Sequence, residues 1–302
     1  MPTADTSLEL PPAKHREIPI RDLDHAGLVA LSEAMKLSLS GEDMLEIQLF
    51  FAEQRREPTD VELECIAQTW SEHCKHRIFG ARIEHNGPDG PEVVDSLFKT
   101  YIKATTERIM ERKPGFVLGC FVDNAGFIRL DDQRAICLKV ETHNHPSAIE
   151  PYAGANTGLG GVIRDILGAG KGAKPIASCD IFCFGPPDTP AADIKAEDVI
   201  HPLGIMRGVV RGVRDYGNRM GIPTVCGAVF FDERYVGNPL VYAGTLGLIP
   251  RSMVAKEVYP GDAIVAIGGA TGRDGIHGAT FSSAELHEES EAIDSGAVQI
   301  GN

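Results

Sequence analysis

The sequence predicts an α+β fold of mixed strands and helices, preceded by a helical segment. Helical apolar patterns recur between about residues 24 and 110, strand-like alternation begins at residue 115, and a long amphipathic helix follows after residue 200. A chain of 302 residues can bury a sizeable core without disulfides. We expect a flexible N-terminus and helical linker segment over residues 1–58, an α+β domain with a mixed sheet over residues 59–255, and the beginning of an incomplete domain over residues 256–302.

The first helices are predicted by apolar periodicity and by one strong start signal. Residues 24–37 and 42–54 carry short helical patterns, and Thr59 forms a capping box with Glu62. Apolar residues then recur at helical spacing: Leu63, Ile66, Ala67 and Trp70. His73 continues this stripe, so we expect it to point inward. A further helix is predicted over residues 94–110.

Strands are predicted over residues 115–122, 127–130 and 135–141. Alternation along the last strand places apolar residues on one face: Ile136, Leu138 and Val140. The other face carries mainly polar groups: Cys137, Lys139 and Glu141, with His143 if the strand stays extended. A lysine, a carboxylate and an imidazole are therefore expected side by side.

Glycine-rich stretches and one more helix organise the rest of the chain. We expect a glycine-rich loop over residues 154–161, a helix from residue 162, and an amphipathic helix over residues 203–220 that Gly221 closes. A hairpin is predicted from residues 223–230 and 240–248. A strand over residues 263–267 then opens a second glycine-rich stretch, 268–278.

Composition excludes several classes of function. The formal net charge of −14 argues against binding to a nucleic-acid backbone or to an anionic membrane. No run of eighteen apolar residues and no secretory signal is present. Seven scattered cysteines without a C-x-x-C motif indicate neither a disulfide framework nor a zinc ribbon. We expect a soluble, cytoplasmic protein that acts on small molecules.

The segment from Lys139 to Ser147 is the strongest candidate for chemistry. With Asp165 it supplies what nucleotide chemistry needs, namely a cation for phosphate oxygens, carboxylates for Mg²⁺, and an imidazole that titrates near neutrality. The glycine-rich stretch 154–161 fits neither the Walker pattern nor the dinucleotide fingerprint, but a loop leading into a helix would suit a phosphate. One alternative is a zinc site formed by four histidines: His73, His76, His143 and His145.

Four sequence blocks carry a resemblance to a known family. Residues 68–79 (QTWSEHCKHRIF), 139–175, 216–249 and 271–285 (TGRDGIHGATFSSAE) resemble the phosphoribosylformylglycinamidine synthase family, within the aminoimidazole-ribonucleotide-synthetase-like superfamily. The resemblance implies an ATP-dependent ligase of purine biosynthesis. Such an enzyme converts formylglycinamide ribonucleotide, ATP and ammonia derived from glutamine into the amidine, ADP and phosphate.

The resemblance also implies a role for individual residues. His73 would be an active-site histidine, His143 the proton acceptor and Lys139 a contact of ATP, while Glu141 and Asp165 would bind Mg²⁺. The positions implied to contact the substrate are Thr142, His143, Asn144, His145, Arg164 and Gln299. The small-subunit form of the family has Ser-Tyr-Lys after the SEHC motif where this chain has Lys-His-Arg, so a contact of His76 with ATP stays open.

The family also implies partners. Its synthetase has a second superfamily repeat and a glutamine amidotransferase domain or subunit, so we expect this chain to need both and to be inactive alone. Two other functions stay open at this point. The chain could be a catalytically silent module that binds a nucleotide or docks onto a partner, or, less in keeping with the residues, a zinc hydrolase.

Overall fold

A computed structural model describes residues 15–194, 199–269 and 278. The contacts between residues divide the chain into two compact units, one ending at Arg77 and the other beginning at Ile78. The predicted flexible stretch falls largely outside the described residues, and so does most of the second glycine-rich stretch. No helix in the described ranges has the length and hydropathy needed to cross a membrane.

The first unit is helical, as predicted. Its helices are α1 (His25–Ala34), α2 (Gly41–Glu53), α3 (Asp60–Trp70) and the single turn α4 (Glu72–Lys75). The capping box of Thr59 and Glu62 is present, and Ser40 with Asp43 forms a second one at the start of α2. The apolar faces of the longer helices meet in a core that includes Leu28, Met44, Phe51 and Leu63.

The inward orientation expected for His73 is wrong. Ser71 adopts an extended backbone conformation, with φ −65° and ψ 158°, which ends α3 and caps the N-terminus of α4. The helical periodicity is therefore interrupted before His73, and this residue is exposed. The apolar stripe of α3 ends at Trp70.

The second unit begins with a hairpin of β1 (Arg82–Gly87) and β2 (Gly90–Asp95). A π-helical segment (Phe98–Lys103) and α5 (Ala104–Arg112) follow. The helix predicted over residues 94–110 thus begins later than expected, because Val94 is paired with Ile83 in the hairpin.

A six-stranded sheet forms the centre of the second unit. Its strands are β3 (Val117–Gly119), β4 (Gly126–Arg129), β5 (Arg134–Thr142), β6 (Lys174–Phe184), β7 (Thr224–Phe231) and β8 (Leu240–Pro250), in the order β3-β4-β5-β8-β6-β7. Only the pair of β6 and β7 is parallel among these neighbours. The predicted hairpin of β7 and β8 is wrong, because β6, which the sequence did not reveal, lies between them. Residues 263–267 form no strand within the described part of the chain.

Three helices accompany this sheet: α6 (Asn144–Ile149), α7 (Pro151–Gly168) and α8 (Pro202–Met220). The predicted α8 is confirmed, including its left-handed cap at Gly221 with φ 70°. The prediction of a glycine-rich loop over residues 154–161 is wrong, because these residues are helical and belong to α7. Leu159 and Ile163 of α7, Val209 of α8 and Phe184 of the sheet belong to one buried core.

Candidate active site

The two faces of β5 differ in what covers them. Ala135 and Cys137 are buried in a core with Ile166 of α7, and Lys139 and Glu141 continue that face toward the end of the strand. The predicted alternation is therefore confirmed. The apolar residues of the opposite face are largely uncovered, with Leu138 47% and Val140 43% exposed.

Helix α7 brings charged partners to Lys139 and Glu141. The Lys139 Nζ lies 2.9 Å from Oδ2 of Asp165, with both side chains about one quarter to one third exposed. Burial raises the pKa of Glu141, the positive charges of Lys139 and Arg164 oppose this rise, and the carboxylate of Asp165 adds to it. Two carboxylates and two cations predicted from separate motifs thus interact in one cluster.

Glycines allow α7 to approach the end of β5 closely. A Cβ added at Gly158 would lie 2.8 Å from the Cβ of His143, and one added at Gly161 would lie 3.5 Å from Oε2 of Glu141. A Cβ at Gly154 would lie 2.5 Å from the carbonyl carbon of Pro146. The glycine-rich stretch therefore serves close helix packing beside the polar cluster, and the predicted phosphate-binding loop is absent there.

The turn from β5 into α6 holds His143 in place. The His143 N–H donates to the Val241 carbonyl at 2.8 Å, and the Ser147 hydroxyl donates to the His143 carbonyl at 2.6 Å. The side chain of Asn144 accepts from the Val241 N–H at 2.8 Å. His143 precedes the first residue of α6, so the strand does not stay extended through it. Its backbone is fixed beside the charged cluster.

Other predicted site residues lie at different places. Thr142 is the last residue of β5, is exposed, and shares the face of Val140 rather than that of Glu141. His145 lies in α6, and the Arg164 Nε donates to the Gly160 carbonyl within α7 at 3.1 Å. His73 and His76 belong to the first unit, where the His73 Nδ1 lies 3.6 Å from the Cys74 Sγ. Gln299 lies outside the described residues.

Sequence reasoning missed a residue that orients Asp165. The Asn124 amide donates to Oδ1 of Asp165 at 3.0 Å, and Lys256 donates to the Asn124 Oδ1 at 3.4 Å. Lys256 is itself held by Asp123 at 2.6 Å and by the Gly168 carbonyl at 2.7 Å. The sequence shows Asp123 and Asn124 only as turn residues, because a contact across 41 positions leaves no local pattern.

The zinc alternative gains no support from the geometry. Across residues 15–194 and 199–269, no three histidine, cysteine, aspartate or glutamate side chains are grouped as metal ligands. The paired carboxylates Glu141 and Asp165 are hard oxygen donors, which suit Mg²⁺ better than zinc.

Comparisons with known proteins show what this chain is similar to. Residues 122–249 match the family described as AIR synthase related protein, N-terminal domain, and residues 28–77 match the formylglycinamide ribonucleotide amidotransferase linker domain. The chain is 39% identical over 290 residues to the phosphoribosylformylglycinamidine synthase subunit PurL of Thermoplasma volcanium. This alignment covers 95% of this chain and 34% of the relative. Over nearly its whole length the chain is similar to the phosphoribosylformylglycinamidine synthase family. It corresponds to the N-terminal portion of that family.

Solved structures of this family show the same fold. T. maritima PurL complexed with FGAR aligns with a TM-score of 0.55 and 34% identity, over 84% of this chain and 34% of that one. T. maritima PurL complexed with ATP aligns with a TM-score of 0.51 and 34% identity, over 77% and 33% of the two chains. The mixed α+β fold with its N-terminal helical segment is thereby confirmed. The chain spans about one third of the length of the curated relatives it matches.

Proposed function

We propose that this chain supplies the N-terminal part of an ATP-dependent phosphoribosylformylglycinamidine synthase, a ligase that forms a C–N bond in purine biosynthesis. The observation that carries the proposal is the cluster of Lys139, Glu141 and Asp165 beside the fixed backbone of His143. The T. maritima relatives were solved with FGAR and with ATP, which supports these two compounds as substrates here.

The residues of the cluster suit the chemistry of amide activation. An amide oxygen is a poor leaving group, so phosphorylation by ATP prepares it for displacement by ammonia. Lys139 would attract the phosphate oxygens and spread the charge of the transferring group. His143 would accept a proton, since an imidazole titrates near neutral pH. The proposed substrate contacts are Thr142, Asn144, His145, Arg164 and Gln299, and His73 is proposed as a further active-site histidine.

The donor set also fits a magnesium ion. Glu141 and Asp165 are the residues that would hold it, because Mg²⁺ binds one or two carboxylates and completes its shell with phosphates and water. A bound Mg²⁺ would neutralise part of the phosphate charge. It would also offset the unfavourable burial that raises the pKa of Glu141. Asn124 would keep Asp165 oriented for this role.

The uncovered face of the sheet supports a second polypeptide segment as a partner. Leu138, Val140 and Phe230 leave an apolar surface there that this chain does not cover. Since the relatives are about three times as long, we propose the remaining synthetase repeat as its occupant, with residues 256–302 as the start of the next domain. A glutamine amidotransferase domain or subunit would supply ammonia. A cytoplasmic location is proposed with these partners.

Reconstitution tests the proposed activity. The chain is mixed with a polypeptide covering the remaining two thirds of the T. volcanium relative, and amidine formation is measured with FGAR, ATP, Mg²⁺ and ammonium. We expect no product from the chain alone and clear turnover from the mixture, with glutamine serving only when an amidotransferase is added. The matched control replaces the chain with the relative's own N-terminal third.

Two outcomes would overturn the proposal. If the relative's own fragment restores turnover and this chain only associates, the chain is a silent docking module. If the purified chain contains about one zinc that is lost when His143 and His145 are changed together but kept in Glu141→Gln, the zinc alternative is favoured instead.

A further inference from the structure

Two cysteines lie side by side on the uncovered face of the sheet. Cys179 in β6 and Cys226 in β7 are partners in the register of the parallel pair, so their side chains share one face. Neighbouring strands are separated by about 4.8 Å, which lies within the Cα separations of about 4.4–6.8 Å that a disulfide spans. The strand spacing is therefore compatible with a disulfide between these two register partners.

The two thiols already interact. A hydrogen bond with Cys226 is the largest cause that raises the pKa of Cys179, and burial adds to it. Cys179 therefore keeps its proton more firmly than an isolated thiol would. In the chain without its proposed partner, Cys226 is exposed while Cys179 is half-buried, so an oxidant in solution reaches Cys226 first.

The other five cysteines are placed differently. Cys65 and Cys74 are exposed in the first unit, Cys120 is half-buried, and Cys183 and Cys137 are buried. Burial raises the pKa of Cys137 to about 11, which suppresses its thiolate. Within the paired strands that the structure describes, no other cysteine has a cysteine as its register partner.

We propose that Cys179 and Cys226 form a redox-sensitive dithiol, which a peroxide closes to a disulfide within the chain. The Cys226 sulfur attacks the peroxide oxygen, the O–O bond breaks, and hydrogen peroxide leaves a sulfenic acid and one water. The Cys179 sulfur then attacks the Cys226 sulfur and releases the second water. Two thiols lose two electrons and two protons, and one peroxide is reduced to two waters. The inference does not depend on the proposed synthetase activity.

The disulfide would join the edge strand β7 covalently to its neighbour β6. Its position on the sheet explains why it would form within one chain, since β6 and β7 are already held by a parallel ladder from Ser178 to Phe184. A thiol such as that of Cys65, which lies on a helix of the other unit, has no such neighbour in the strand register.

The test treats the 302-residue chain with a small molar excess of hydrogen peroxide, blocks the remaining thiols with iodoacetamide, and maps the peptides by mass spectrometry. We expect the loss of two alkylatable thiols out of seven and a linked peptide pair containing Cys179 and Cys226. A phosphine reductant should restore both thiols. The rate should not change on tenfold dilution of the protein, because the bond forms within one chain.

Matched variants complete the test. Cys179→Ser should yield no linked pair and should leave Cys226 as a sulfenic acid that dimedone traps, whereas Cys65→Ser should form the linked pair as the unchanged chain does. The proposal is overturned if Cys65 and Cys74 are oxidised while Cys179 and Cys226 stay alkylatable. It is equally overturned if the disulfide joins two chains, or if Cys179→Ser still loses two alkylatable thiols to a disulfide.

Discussion

The two faces of the six-stranded sheet differ at the end of β5. Charged side chains lie on the covered face and apolar side chains on the uncovered face, which is the reverse of what stability alone would favour. On the face covered by α7, Lys139 and Glu141 extend the buried row of Ala135 and Cys137, and burial raises the pKa of the glutamate. On the other face Leu138, with 47% of its surface exposed, meets solvent. Desolvated charge and exposed apolar surface both cost stability. The proposed function would explain each departure, because the covered face would hold the reacting groups and the uncovered face would receive the rest of the synthetase.

The largest effect is expected from His143, at the end of the covered face. In the reconstituted enzyme, His143→Ala should lower kcat by roughly 10²- to 10⁴-fold, the usual range for a lost general base. The affinity for ATP should change little, because Lys139 remains in place. His85→Ala, in the exposed hairpin, serves as the control and should keep kcat. A variant that keeps kcat but loses ATP binding would show that His143 contacts the nucleotide instead.

Close packing on the covered face can be tested at Gly154. Gly154→Ala places a Cβ against the backbone of Pro146, which cannot rotate away, so the free energy of unfolding should fall by about 1–3 kcal/mol. Gly168→Ala lies in the same helix, and its Cβ would be at an ordinary 3.6 Å from the nearest atom. That control should be neutral or gain up to about 1 kcal/mol. Urea unfolding of both variants measures the difference, and equal values would contradict close packing of α7 at Pro146.

A substitution on the uncovered face should weaken assembly and leave the stability of the free chain nearly unchanged. Leu138→Asp should alter the free energy of unfolding by no more than about 0.5 kcal/mol, as is usual for surface positions. It should weaken binding of the complementary polypeptide about tenfold, or about 1.4 kcal/mol. Val93→Asp, on the separate hairpin, provides an equally exposed apolar control. Analytical ultracentrifugation measures binding, and unchanged binding by the Leu138 variant would remove the uncovered face from the interface.

A smaller effect, with a defined pH dependence, is expected at the buried Asp180. Burial raises the pKa of this carboxyl, while Thr224 donates to its Oδ2 at 2.7 Å. The folded chain therefore binds a proton that the unfolded chain releases, so stability falls as pH rises from the unfolded value near 3.8 through the raised folded value. Asp180→Asn should remove this fall and raise the urea midpoint more at pH 7 than at pH 4. Asp215→Asn, whose carboxyl has a lowered pKa, should show no such gain at pH 7.

Local signals in the sequence predicted some parts of this molecule well. The capping box at Thr59 and the alternation from Cys137 to Glu141 depend on neighbours within a few positions, and both are present. The glycines from 154 to 161 predict a loop but lie in α7, because what requires glycine there is the close approach of distant atoms, such as the Cβ of His143. The intervening strand β6 and the contact of Asn124 with Asp165 likewise depend on long-range pairing. Such long-range pairing leaves no periodic pattern in the sequence.

The most direct test compares two adjacent residues of β5 that point to opposite faces. In the reconstituted enzyme, Lys139→Met removes the cation that lies 2.9 Å from Asp165, whereas Leu138→Met preserves an apolar side chain on the uncovered face. The measurement is kcat/KM for ATP in amidine formation, at equal occupancy of the complementary polypeptide. The proposed site predicts a loss of about 10²- to 10³-fold for Lys139→Met and less than about a twofold change for Leu138→Met. Equal effects of the two substitutions, or full activity without Lys139, would contradict the placement of the reacting groups on the covered face.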